Sequence, residues 1–258
     1  KLCLLKCFLS GTLISFFSVN DEIALAVGGI SNSKVVVPSA ETVEKGHIEI
    51  EPFFGLEFVD DKVNTLRSET VGRFTIGVLH NLEIGTNFGY LNIEDSELIE
   101  TDRDFGDIEA GLKYRFLDED KNLPFSLAYQ GGITFPTSGE GAPWVFEVAG
   151  LILTKDFTER FSMDADFVFA LIEDNAWSFV TEVGFGYFIA SWFQFVVEGA
   201  YAFESPDNED NVLIFNITVG FTAPITEWLT IIIGVTPDIY TKNIENKIIL
   251  SSAFTFLF

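Results

Sequence analysis

Residues 105–141 read FGDIEAGLKYRFLDEDKNLPFSLAYQGGITFPTSGEG. In the first half Ile108, Ala110, Leu112, Tyr114 and Phe116 alternate with Asp107, Glu109, Gly111, Lys113 and Arg115, and a period of two puts the apolar side chains on one side of an extended strand. A helix would mix the two sets. After a polar break at 118–122 the pattern returns, with Phe125, Leu127, Tyr129, Ile133 and Phe135 set against Ser126, Ala128, Gln130, Gly132 and Thr134. The pair reads as a long β-hairpin, apolar on one side only. Two architectures use such a hairpin: a soluble sandwich with the apolar face inward, or a transmembrane barrel with that face toward lipid and the acids inside.

The 258 residues are 48% hydrophobic and 15% aromatic, yet carry a formal net charge of −24. That apolar content argues against charge-driven disorder. An acidic chain poor in Lys and Arg is also a poor partner for nucleic-acid phosphates, so no nucleic-acid role is expected. Lys1 and Lys6, the apolar run from Cys7 to Val19 and the small-residue site Ala24-Leu25-Ala26 describe a secretory signal over residues 1–26. The competing reading, an uncleaved anchor, fits less well because Ser10, Gly11, Ser15 and Ser18 dilute a short run. Cleavage would remove both cysteines and with them any disulfide chemistry. The most apolar later stretch, Trp228 to Val235, is only a strand's length. A membrane-spanning form must therefore be a closed barrel, since lipid offers no partner to an open sheet edge.

Residues 27–45 form a strand-poor lead that could hang in the periplasm or tuck into a lumen. From residue 46 onward the pattern supports about twelve strands, near 47–58, 68–79, 81–92, 106–117, 123–136, 144–155, 160–172, 176–189, 192–204, 211–222, 228–236 and 247–258. Connections after odd strands are long and acidic, as in 93–105, 205–210 and 237–246. Those after even strands are mostly short, as at His80, 190–191 and 223–227. That parity matches extracellular loops and periplasmic turns, whereas a Greek-key sandwich has no reason to keep it. The outward set, including Ile50, Phe54, Phe74, Phe167, Phe179, Phe195, Phe215 and Ile231, contains no charge. Trp144, Trp177, Tyr187, Trp192 and Trp228 fall near strand ends, where amphipathic rings form girdles at the headgroup level.

The last strand, KIILSSAFTFLF, ends on Phe258. It resembles the closing strand of outer-membrane barrels, whose terminal aromatic is read by the assembly machinery. GDIEAGLKYRFL at 106–117, the strand ending GGITFPTSGEG at 131–141 and the turn LHNLEIG at 79–85 resemble the meta-pathway phenol-degradation family of outer-membrane, transporter-like barrels. The resemblance implies a barrel that passes small, often aromatic or hydrophobic, compounds, with no catalytic motif to carry over.

With the apolar set toward lipid, the alternate residues line a lumen. Arg73 and Lys113 fall near mid-height on strands two and four, and Asp164, Asp166, Glu182 and Glu198 at similar height on strands seven to nine. A cationic wall is therefore expected opposite an anionic one, with a transverse field at the constriction. Glu49, Glu51 and Glu83 accompany Arg115 near the periplasmic mouth; Asp107, Glu109 and Glu147 lie nearer the outer mouth. An open pore lined this way prefers cations or neutral solutes. The bland alternative is that these charges pair and fill the interior, since twelve strands lie between filled and open barrels. Inward Gly111, Gly132, Gly184 and Gly186 are expected as curvature devices first and pore-wideners second.

An enzyme needs an imidazole near a nucleophile, and His47 and His80 both fall at the periplasmic rim without a Ser or Asp constellation. A third class, a structural or adhesive barrel, would act through loops such as Asp207, Asn208, Glu209 and Asp210, whose spacing lacks a calcium-loop pattern. The sequence thus supports an all-β, transmembrane, antiparallel up-and-down barrel over residues 46–258. It is expected to be non-enzymatic, to need no cofactor or metal, and to meet the bilayer, lipopolysaccharide, the assembly machinery through Phe258, and small solutes.

Overall fold

In a computed structural model the period-two alternation folds into twelve strands; the structure describes residues 30–31, 34–60, 65–95, 100–121, 123–137, 143–206 and 210–258. They are β1 (Ile48–Val59), β2 (Leu66–Leu79), β3 (Leu82–Asp95), β4 (Glu100–Leu117), β5 (Ser126–Phe135), β6 (Val145–Thr158), β7 (Phe161–Ile172), β8 (Ala176–Ala190), β9 (Phe193–Ser205), β10 (Val212–Thr226), β11 (Leu229–Lys242) and β12 (Lys247–Leu257). Each pairs antiparallel with its sequence neighbours, and β1 closes the barrel on β12. The seam is tied at its end by reciprocal 2.9 Å bonds between the backbones of Ile48 and Phe258. Closure leaves no open sheet edge, which is what lipid demands.

Pleat parity holds around the wall. Phe54, Phe74, Phe88, Leu151, Phe167 and Phe195 are exposed on the outside, while Glu51, Arg73, Asn87, Ile152, Asp166 and Val196 on neighbouring positions are buried inside. Turns of two residues join β2 to β3, β6 to β7, β8 to β9 and β10 to β11. Trp192 and Trp228 stand exposed at that end, and Trp144 at the other, so the girdle rings mark both rims.

Two expected loops are shorter than the sequence suggests. β11 runs through Pro237 to Lys242, leaving only 243–246 as the connection. Pro237 is the last residue of β11 in register with β12, paired with Ile248, so its missing N–H falls where that ladder stops; the register with β10 shifts just beyond, between the Asn216–Asp238 and Phe215–Tyr240 pairs. Likewise β3 continues to Asp95 and β4 starts at Glu100, because a backbone ladder can extend past the bilayer. The remainder of that loop, with 61–64, 138–142 and 207–209, lies outside the described residues, as does the expected signal at 1–26.

The lead takes the second of its two expected places. Ile30, Val35, Val37, Ala40 and Val43 are all buried, packed inside the barrel. Ile30 and Ala40 cluster with Ala128, Ile152 and Val168. Val35 clusters with Val196, Ile232 and Ala253, with Val36 and Phe53 against them. The segment leaves the lumen at the short-turn end: Lys45 bridges Gly77 of β2, and Gly46 donates to Gly77 O at 2.8 Å before β1 begins. Gly46 has φ +87°, a left-handed conformation that favours glycine, so the reversal is built on a residue without a Cβ.

Candidate functional site

The inner wall and the inserted segment meet through discrete polar contacts. On β3 and β4, Glu83 and Lys113 are fully buried and 3.1 Å apart. Glu83 accepts from Ser31 N at 2.8 Å and from Val43 N at 2.7 Å, which draws two distant points of the segment to one carboxylate. Lys113 Nζ donates to Ser31 O, Ser31 Oγ and Ser39 O at 3.1, 2.9 and 3.1 Å. Its ammonium is thus held by one carboxylate and three neutral oxygens, more acceptors than the three N–H donors of a lysine can each serve separately.

On the opposite wall Lys34 forms an ion pair with Asp164 of β7. Thr154 of β6 donates to the same carboxylate and accepts from Ala40 N at 2.8 Å. Glu198 of β9 accepts from Val36 N and Val37 N at 3.1 and 3.0 Å. Nearer the short-turn mouth Arg115 pairs with Glu41 of the segment and lies 3.6 Å from Asp118.

Inner-face glycines form the bed on which the segment lies. A Cβ on Gly184 would meet Lys34 Cδ and Glu198 Cγ at 3.1 Å, and one on Gly186 would meet Lys34 Cε at 3.1 Å. A Cβ on Gly234 would lie 2.5 Å from Val35 Cγ1. Gly184 and Gly186, expected chiefly to bend the sheet, are the floor under the Lys34 side chain.

The charged residues expected on the inner face sit at inward positions of the pleat. Their grouping differs from expectation. Arg73 is 3.0 Å from Glu51, on the neighbouring strand, and Lys113 is paired with Glu83. The expected cationic wall is therefore balanced in place, and the acids on β7 and β9 are answered by Lys34 and by backbone amides rather than across an empty lumen. Asp166 and Glu182 stand opposite each other on β7 and β8. Glu109 accepts from Asn87 at 3.1 Å; Glu147 is half-buried opposite Ala170 and Gly132, and Glu49 half-buried opposite Thr75.

Sequence reasoning missed Ser31, Lys34, Ser39 and Glu41 as partners of the wall, together with Thr154. One signal was available: Lys34 is one of only two cations, with Lys45, in the strand-poor lead of a chain with only 15 Lys and Arg. Arg67 and Lys247, which meet Glu57 at 2.9 and 3.5 Å nearer the loop end, were also missed. His47 is exposed, 3.8 Å from an exposed Glu44, and His80 sits in the turn after β2. Of the acidic loop residues 207–210, only Asp210 is described, and it is exposed.

The sequence profile of the family described as "Putative MetA-pathway of phenol degradation" matches residues 38–245. The chain belongs to this family. No curated protein matches the sequence significantly. Among solved structures it is similar to an outer-membrane channel from Pseudomonas putida, with a TM-score of 0.70 at 13% identity, covering 85% of this chain and 98% of that one. It is also similar to the NanC porin, with a TM-score of 0.58 at 10% identity over 80% of this chain and 98% of that one. The KdgM porin gives a TM-score of 0.52 at 8% identity, covering 80% and 99%. At these identities the likeness is one of fold. The family member described here is a bacterial outer-membrane barrel, with lipid against its phenylalanine-rich exterior.

Proposed function

We propose that this barrel is a passive channel for small solutes, closed in its short-turn half by its own N-terminal segment. The observation that carries the reading is what fills the lumen. Eight-stranded barrels are filled by their own side chains; here the wall leaves room for a separate stretch of backbone, seated by Glu83, Lys113, Asp164 and Glu198. Space that admits a polypeptide admits a small solute once the segment shifts.

The predominance of inward carboxylates supports neutral or cationic cargo over anions, because low-dielectric walls strengthen the potential of fixed charge. The KdgM porin has been seen with oligogalacturonate, a polyanion; the acid-rich wall here favours a different class. Aromatic or hydrophobic solutes remain part of the proposal through the family's description. Residues 1–26 as a cleaved secretory signal, and Phe258 as the mark read by the assembly machinery, belong to the same reading.

Planar-bilayer recording in a salt gradient, with liposome swelling in neutral sugars, aromatic acids and alkylammonium salts, tests it. Cation-biased reversal potentials and swelling with neutral or cationic solutes are expected. Anion preference overturns the acid-lined pathway, and absence of both conductance and swelling overturns the channel.

A further inference from the structure

Strands β5, β7 and β8 bring three side chains together one pleat repeat outward of the layer where Lys34 meets Asp164. Asp166 stands directly opposite Glu182. Gln130 reaches across β6 to donate from Nε2 to Asp166 Oδ2 at 3.0 Å. It can do so because the intervening residue is Gly150, whose Cβ would lie 2.3 Å from Gln130 Cγ. Gln130, Asp166 and Glu182 are 0, 3 and 1% exposed.

Four oxygen atoms are left over. Among the described residues, Gln130 Oε1, Asp166 Oδ1 and both carboxylate oxygens of Glu182 receive no N–H or O–H from another residue, although Asp166 and Glu182 are close enough to bond each other through one shared proton. The neighbouring acids are served, Asp164 by Lys34 and Thr154, and Glu198 by the amides of Val36 and Val37. Lys34 is paired with Asp164. Buried carboxylates without a counter-charge are strongly disfavoured, so this group calls for a positive partner.

The same lumen shows which kind of cation such a group holds. Lys113 presents a primary ammonium to a carboxylate and neutral oxygens at 2.9–3.1 Å. Gln130, Asp166 and Glu182 offer a matching donor-free set, two carboxylates and an amide oxygen, to the three N–H donors of an ammonium. A metal ion is the weaker fit, since among the described residues no group of three or more His, Cys, Asp and Glu is placed to hold one.

We propose that Gln130, Asp166 and Glu182 form a socket for the primary ammonium group of a small amine solute. The proposal rests on the channel reading and names its cargo: a solute crossing the lumen passes the socket at the level where Val36 of the inserted segment packs against Val180 and Ala200. Gly150 belongs to the socket too, as the gap through which Gln130 reaches Asp166.

The test is equilibrium binding to the purified full chain in detergent, by calorimetric titration with methylammonium. Tetramethylammonium, which has no N–H, and Ca²⁺ are the controls. Methylammonium is expected to bind saturably, with affinity reduced roughly tenfold or more in Glu182→Gln and for tetramethylammonium, the loss expected for a charge-assisted hydrogen bond. Asp166→Asn provides a second variant, and heat-modifiable gel migration establishes that each barrel is folded. Unchanged methylammonium affinity in folded Glu182→Gln or Asp166→Asn overturns the socket. So does tighter binding of Ca²⁺ than of methylammonium, or a carboxyl infrared band showing a proton shared by Asp166 and Glu182 that saturating amine does not displace. Conductance is read separately: a conducting protein that binds no amine overturns the socket and leaves the channel, and a silent protein that binds methylammonium does the reverse.

Discussion

Lys34 and Asp164 are ion-paired with 2% and 1% of their side chains exposed, one on the segment inside the barrel and the other on its wall. They are 130 residues apart in sequence. Such a pair contributes little net stability over an apolar equivalent, yet removing one partner costs about 3–5 kcal/mol because the other charge stays buried. It therefore works as a register pin, fixing where the segment lies.

Replacing Lys34 by Met removes the buried counter-ion of Asp164 and should release the segment from the β7 wall. The expected result is a larger or more frequent open state in planar bilayers, with heat-modifiable migration of the barrel retained. Asp164→Asn should act in the same direction, since an amide oxygen can still accept from Lys34 but the buried ammonium loses its counter-charge. Conductance unchanged by both variants would show that the ion pair does not hold the segment closed.

Gly234→Ala addresses the same seating without touching a charge. Its Cβ would come within 2.5 Å of Val35 Cγ1, and overpacking of this kind costs about 1–3 kcal/mol. Val35→Ala removes the opposing methyl groups. The double variant should therefore recover the closed behaviour that Gly234→Ala loses, and a double-mutant cycle on open probability measures the coupling. Additive effects would place the cost in the sheet itself, for example against Ser251 Oγ at 3.0 Å.

The wall was legible in the sequence and the content of the lumen was not, for one physical reason. Which face Ile108 and Glu109 occupy is decided by their immediate neighbours through the pleat, so the strand count, the parity of the loops and the inward acids could be read locally. Lys34 finds Asp164, and Ser31 finds Glu83, only through barrel closure, and no local period encodes that. The glycines carried the missing information in disguise. Gly184, Gly186 and Gly234 occupy inward positions where a closed wall could have carried larger side chains, and the space they leave is filled by Lys34 and Val35. Pro237 misled in the opposite direction, because a proline that ends most strands sits here where only the ladder with β12 stops while β11 runs on.

The exterior yields a prediction that separates lipid from protein as the medium around the apolar face. Leu151 is 49% exposed, at mid-strand between Tyr129 and Phe167. Leu151→Arg should cost roughly 2–4 kcal/mol in a bilayer, the range for a cation at the midplane of a barrel's lipid face. Urea titration in phospholipid vesicles is expected to show that loss, while the same substitution at Glu159, in a short turn, should show almost none. Equal, negligible effects at the two positions would mean that the phenylalanine-rich face does not contact hydrocarbon.

Lys113 supplies the last prediction, and it concerns assembly rather than gating. Its ammonium joins Glu83 on β3 to Ser31 and Ser39 of the segment, so Lys113→Met removes the cation while Glu83 keeps its bonds from Ser31 and Val43. A buried carboxylate stripped of its ion partner loses about 3–5 kcal/mol, part of it offset here by three N–H and O–H donors that remain. The variant should unfold at lower temperature in detergent, by differential scanning calorimetry. A second change, Glu83→Gln, should restore part of the loss, because a neutral amide beside the introduced thioether leaves no bare charge while its single oxygen keeps one of the two backbone bonds, from Ser31 N or from Val43 N. If Lys113→Met proved as stable as the parent, Glu83 would be adequately solvated by the segment alone, and the ion pair would be dispensable to the fold.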